Sequence, residues 1–153
     1  MGMIEKRLEE LGLTLPECPT PVASYVIAAQ TGSLVYASGQ TPIENGVLRY
    51  AGKVGKDLSV EDAYEAAKIC ALRLIAELKS HVGDLDRVER IVKVNGYVNS
   101  EGDFGMQPKV MNGASDLLVA VFGEKGKHAR AAIGVSTLPD NAAVEVELIA
   151  EVR

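Results

Sequence analysis

There is no tryptophan among the 153 residues, and phenylalanine occurs only twice. That scarcity removes the aromatic platform on which proteins stack exposed bases. A net charge of −5 also argues against the basic footprint of a nucleic-acid binder. Nucleic acid is therefore not an expected partner. No stretch approaches the ~18 consecutive apolar residues of a membrane span, and the charged N-terminus lacks the apolar segment of a signal peptide. Cysteine occurs twice: Cys18 lies in the proline-flanked stretch Pro16-Glu-Cys-Pro-Thr-Pro21, and Cys70 within a helical pattern. Neither forms a CxxC or a metal-binding spacing, so a reduced, cytoplasmic protein is expected. The two histidines, His81 and His128, form no HxH or HExxH motif, and no metal site is expected.

What is present is 47% hydrophobic residues and 24% charged residues, a globular composition with an aliphatic core. The length fits one domain, 1–153. Residues 2–13 read as a short amphipathic helix (Ile4, Leu8, Leu11) ahead of a proline-rich lead-in. Val22 to Ala29 and Ser33 to Ser38 read as strands joined by a turn at Thr31-Gly32. Gly46 to Tyr50 is a candidate edge strand. Ser59 and Asp62 have capping-box spacing before a helix whose buried face is Ala63, Ala67, Cys70, Ala71, Leu74, Ile75 and Leu78. That helix ends near His81, before Gly83.

Val88 to Val98 reads as a long strand. Alternation places Val88, Val92, Val94 and Val98 on one face, and Ile91, Lys93, Asn95 and Tyr97 on the other. A second helix covers 108–122, with two closing strands at 129–136 and 142–152. The order β-β-(β)-α-β-α-β-β predicts an α+β fold, a mixed sheet with both helices packed on a single face. Gly52-Lys-Val-Gly-Lys56 lacks the spacing of a phosphate loop and reads as a turn.

The closing strands carry the chemistry. Period-2 alternation puts Arg130, Ala132, Gly134 and Ser136 on one face, with Ala131, Ile133 and Val135 expected on the core side. In the last strand Val144, Val146, Leu148 and Ala150 face the core, and Glu145 and Glu147 face away. The expectation is a guanidinium and carboxylates on one outward face. Arginine presents a planar fork that matches a carboxylate bidentately, and a nearby glutamate can hold water. The alternative on spacing alone is an ordinary cross-strand Arg–Glu pair. Met106, Met111 and the Asn112–Ser115 stretch read as packing and helix surface. His128 reads as a surface or capping residue that stands two positions from Arg130.

The segment Arg130-Ala-Ala-Ile-Gly-Val-Ser-Thr-Leu-Pro139, followed by Ala143-Val-Glu-Val-Glu-Leu-Ile-Ala150, resembles the closing signature of the YjgF/RidA family. These are the reactive-intermediate deaminases, also called endoribonuclease L-PSP. Val35-Tyr-Ala-Ser-Gly-Gln40 and Tyr97-Val98 leading into Asp103-Phe104 extend the resemblance from Pro21 onward. Asn112-Gly-Ala-Ser-Asp-Leu-Leu118 is similar to a longer subgroup of the family. The resemblance implies a chorismate-mutase-like fold assembled as a homotrimer with intersubunit clefts. It also implies cofactor-free, metal-free hydrolysis of small 2-imino or 2-enamino acids to 2-oxo acids and ammonia.

Carried over, Arg130 matches the carboxylate-gripping arginine and Glu145 the water-holding glutamate. Tyr25 and Ser38 match pocket-wall residues, and Gly39 follows Ser38 in the same loop. Ala132 stands where the family often has cysteine, a position whose role rests on backbone groups. Gly102 replaces the common asparagine before Asp103-Phe104. The readings to test are therefore a deaminase, a non-catalytic trimer that binds a small carboxylate-bearing metabolite, and an endoribonuclease or translation inhibitor. The last is disfavoured by the acidic charge and few aromatics.

Overall fold

Ser59 opens the longest helix as its sequence requires: its side chain accepts from the Asp62 N–H at 3.1 Å, while Glu61 and Asp62 sit at the positive end of the helix dipole. The computed structural model describes residues 1–153. It comprises α1 (Met3–Glu10), β1 (Ala28–Thr31), β2 (Leu34–Gln40), β3 (Ile43–Glu44), β4 (Val47–Leu48), α2 (Val60–Val82), β5 (Val88–Asn99), α3 (Gln107–Phe122), β6 (Ala129–Val135) and β7 (Val144–Val152). No helix is long and apolar enough to cross a membrane.

The main sheet has the order β1-β2-β7-β5-β6. Only β5 and β6 run parallel, joined by the crossover helix α3; the other pairs are antiparallel. Both long helices lie on one face. From α2, Leu74, Ile75 and Leu78 are fully buried, and each contributes roughly 1.5–3 kcal/mol of transfer free energy. From the sheet, Val94, Val98, Val144, Val146, Leu148 and Ala150 meet them. The helices approach closely at Gly113, where an added Cβ would stand 2.0 Å from the Tyr64 carbonyl oxygen of α2.

Several expectations change. Val22 to Ala29 is not one strand: β1 begins only at Ala28, and Val22 and Val26 are 91% and 60% exposed. Nothing in the chain pairs with the earlier residues. They are held instead by Ser38, whose hydroxyl donates to the Val26 carbonyl at 2.6 Å and whose N–H donates to Ile27 at 2.8 Å. The candidate edge strand is β4, which pairs with β3 in a separate hairpin through Asn45-Gly46, both at positive φ. In β5 the register against β7 shifts between Val88 and Arg90 and again between Ile91 and Lys93. These irregularities bring Ile91 into the core and leave Val92 half-buried.

The largest change is in β6. Ile133 is 50% exposed, and it stands level with Tyr97 on the uncovered face. Arg130, Ala132 and Gly134 instead share the helix-covered face with Val94, Gly96 and Val98. β6 is an edge strand that α3 covers only in part, so apolar character along it does not mark the core side.

One carboxyl is sealed within the layers. Glu77 of α2 is fully buried, with Oε1 accepting from Gln40 Nε2 of β2 and Oε2 without any partner. Burial pushes its carboxyl up to about 8, opposed by the Gln40 hydrogen bond, Arg73 and the Ser38 backbone.

Two outcomes follow for stability. Because Glu77 holds its proton more tightly folded than unfolded, its contribution is fully present below the ordinary carboxylate value. It is lost as pH rises through about 8. Glu77→Gln should therefore gain in thermal midpoint relative to wild type as pH is raised from about 5 to 9; a pH-independent difference in melting scans would contradict this. Gly113→Ala should cost about 1–3 kcal/mol in denaturant unfolding, because the methyl runs into the Tyr64 backbone, which cannot swing aside as a flexible side chain would.

Candidate functional site

The six residues expected at the site fall into two groups, on opposite faces and two to three strands apart, on the order of 10–14 Å across the sheet. Arg130 and Ala132 lie on β6, facing α3. Tyr25, Ser38, Gly39 and Glu145 gather where β2 meets β7 and the segment before β1. Within one chain the guanidinium and the carboxylate do not share a face, which corrects the expectation of one outward polar surface and removes the cross-strand Arg–Glu pair. The cause is the reversed orientation of β6 already described: alternation was right in period but opposite in sense.

Around Arg130 the partners are polar and uncharged. Nη1 donates to Asn112 Oδ1 at 2.9 Å and to Ser115 Oγ at 3.1 Å, and Nη2 reaches the Pro108 carbonyl at 3.4 Å. No carboxylate of the chain pairs with it, although six ion pairs form elsewhere. The half-buried guanidinium is thus a cation without an anion. Ser115 also contacts His128 Nε2 at 2.8 Å, and His128 Nδ1 contacts the Gly126 carbonyl at 2.6 Å. Burial, helped by the Arg130 charge and opposed by the Gly126 hydrogen bond, holds the His128 ring below its ordinary value. Ala132 is half-buried beside Gly96 and leaves the β6 backbone uncrowded.

The second group is built on a β-bulge. Register between β2 and β7 shifts between Ala37 and Gln40. The irregularity turns Gln40 inward to Glu77 and leaves Gly39 against Glu145, where a Cβ would stand 2.6 Å from Oε2. Ser38 is committed to the Val26 carbonyl, and Tyr25 is 48% exposed just ahead of it. Glu145 makes no side-chain hydrogen bond of its own. Burial pushes its carboxyl up, and the adjacent Glu147 adds to the shift. Glu147, by contrast, accepts from the Tyr97 hydroxyl at 2.5 Å, which with burial moves that phenol up to about 12.

A cavity of about 510 Å3 opens at the C-terminal end of β6, lined by Lys53, Ser100, Gly102, Phe104, Gln107 and Gly134 among others. It includes Gly102 but none of the six expected residues. Lys53 Nζ is tied to Asn99 Oδ1 at 2.9 Å and to the Ser136 carbonyl. The turn expected at residues 52–56 is thus pinned to the closing strands. No group of three or more His, Cys, Asp or Glu side chains is placed to hold a metal ion.

Sequence reasoning missed Asn112, Ser115 and His128 as neighbours of Arg130. The available signal was the spacing of His128 two positions before Arg130, together with two polar residues three apart on α3. Met111 does pack as expected, beneath Gly96.

Comparison with known proteins agrees with this architecture. Protein TCP17 of Trypanosoma cruzi is 42% identical over 153 residues, covering 99% of this chain and 96% of that protein. A crystal structure of a protein of unknown function from Agrobacterium tumefaciens superimposes with a TM-score of 0.92 at 46% identity, covering 98% of this chain and 92% of that one. A 2-iminobutanoate/2-iminopropanoate deaminase of Dermatophagoides farinae is 26% identical over 137 residues, covering 90% of this chain and 92% of that protein. The family described as "YjgF/chorismate mutase-like, putative endoribonuclease" matches residues 5–152, and with nearly the whole chain matched, the protein belongs to that family.

Proposed function

We propose that this protein hydrolyses small 2-imino or 2-enamino acids to 2-oxo acids and ammonia. The site would be completed when Arg130 of one copy meets Tyr25, Ser38, Gly39 and Glu145 of another in a homotrimer. The observation that carries the reading is the Arg130 guanidinium, half-buried and without a carboxylate from its own chain. Such a group is suited to a substrate carboxylate. The similarity to a 2-iminobutanoate/2-iminopropanoate deaminase supports the same chemistry.

The reaction asks little of a protein. Water adds to the imine carbon, a proton passes to nitrogen, and ammonia leaves as the carbonyl forms. Holding the substrate by its carboxylate fixes the imine carbon against the water and removes the entropy of a bimolecular encounter. Glu145 is free of internal hydrogen bonds, and burial raises its carboxyl toward the range useful for proton transfer. Backbone groups near Gly39 and Ala132 are left accessible by small residues and would orient the substrate.

A second reading is favoured by one observation: in a single chain the carboxylate grip and Glu145 lie on opposite faces. A carboxylate-binding module without turnover would use only the Arg130 side. Nothing in the geometry favours ribonuclease chemistry.

In an assay with imines generated by an amino-acid oxidase, Arg130→Ala should lower kcat/KM by about 100-fold or more. Equal rates for variant and wild type would defeat the proposal, and saturable 2-oxo acid binding with no imine turnover would establish the binding module instead. Gly39→Ala, whose methyl can be accommodated by displacing the flexible Glu145 carboxylate, should reduce kcat about tenfold or more with little change in unfolding midpoint.

A further inference from the structure

Arginine offers its N–H donors along two edges of a plane, and which edge meets a ligand depends on what already holds the other. At Arg130 both hydrogens of Nη1 are taken, by Asn112 Oδ1 at 2.9 Å and Ser115 Oγ at 3.1 Å. Nη2 makes one long contact, 3.4 Å to the Pro108 carbonyl. Nε has no partner in the chain. The end of the fork is occupied by α3, and its Nε–Nη2 side is not.

The direction of the Ser115 hydroxyl is set one residue further away. A backbone carbonyl only accepts, so the 2.6 Å contact between Gly126 and His128 requires the hydrogen on Nδ1. In the neutral ring Nε2 is then an acceptor, and the 2.8 Å contact with Ser115 takes the hydroxyl hydrogen. With that hydrogen committed, Ser115 turns lone pairs toward Arg130. The chain of bonds runs one way: Arg130 to Ser115, Ser115 to His128, His128 to Gly126. It links β6, α3 and the turn that follows α3, so three segments of backbone fix one side chain. Both the mid-helix serine and the histidine at the strand end are only half-buried.

We infer that Asn112, Ser115 and His128 are positioning residues that lock the Arg130 guanidinium, so that its Nε–Nη2 edge receives the carboxylate of a small monocarboxylate side-on. This rests on the carboxylate-binding reading above and adds which edge of Arg130 is used and what holds it there. Pre-organisation of this kind acts on binding rather than on the chemical step: a guanidinium already held by its far end loses little freedom when the ligand arrives.

The test is titration calorimetry with pyruvate as probe, alongside imine kinetics. Ser115→Ala and His128→Phe should each raise Kd for pyruvate and KM for the imine about tenfold, the scale of one hydrogen bond to a charged group, with kcat little changed. His128→Gln, which can offer an amide oxygen in place of Nε2, should recover most of the affinity. In nitrogen-15 spectra of the wild-type imidazole, the hydrogen should reside on Nδ1; residence on Nε2 would overturn the inference. Pyruvate binding at wild-type strength in Ser115→Ala and His128→Phe, with Arg130→Ala impaired, would also overturn it while leaving the carboxylate reading intact. Undiminished binding in Arg130→Ala would remove both. Should His128→Phe fail to melt cooperatively, Ser115→Ala decides alone: weakened binding supports the inference and unchanged binding ends it.

Discussion

Gly113 allows α3 to lie against the Tyr64 carbonyl of α2, and that close approach sets how the second helix is rolled over the sheet. Given that roll, the residues of one helical turn are directed three ways. Gly113 meets α2, Met111 fills the space above Gly96 of β5, and Asn112 and Ser115 point to Arg130 on β6. A helix is rigid on this scale, so displacing it at one contact moves the others. The packing of the core and the posture of the candidate ligand-binding arginine therefore depend on the same few ångströms between α2 and α3.

Covering only one face of the sheet has a chemical consequence. Each strand contributes alternate side chains to a dry layer and to an uncovered one, so residues adjacent in sequence are sorted into different surroundings. Glu145 and Glu147 emerge beside Tyr97, away from the helices. Arg130 emerges on the other side at the open edge of β6, where α3 only partly shields it. The two halves of the proposed chemistry are thus segregated within a protomer. The homotrimer proposed above accommodates this, because a second copy would supply to one edge what the first holds on its far face.

Much of the architecture was legible in the sequence. The Ser59 cap, the apolar stripe of α2, the span of α3 and the alternation of β7 are all local signals: each depends on residues within a turn or two of one another, and each is found as read. The resemblance carried by the closing motif also pointed to the right family. What local pattern did not contain was the sense of β6. Ile133 and Arg130 are equally plausible as inward residues of a strand until it is known that the strand lies at an edge. The β5 irregularities that exchange Ile91 for Val92 depend on the partner strand. The support of Arg130 was hidden for a related reason: Ser115 and His128 meet only once the crossover has brought α3 back over β6.

The sealed carboxyl of Glu77 couples the folding reaction to the solvent in a way that no surface group does. Burial holds the Glu77 proton more tightly in the folded chain than in the unfolded one, so between the ordinary carboxylate value and about 8 this side chain takes up a proton as the chain folds. The heat of folding then includes the ionisation heat of whatever buffer donates that proton. Calorimetric enthalpies measured in phosphate and in Tris should therefore differ by more for wild type than for Glu77→Gln, and the excess reports the proton that enters with Glu77.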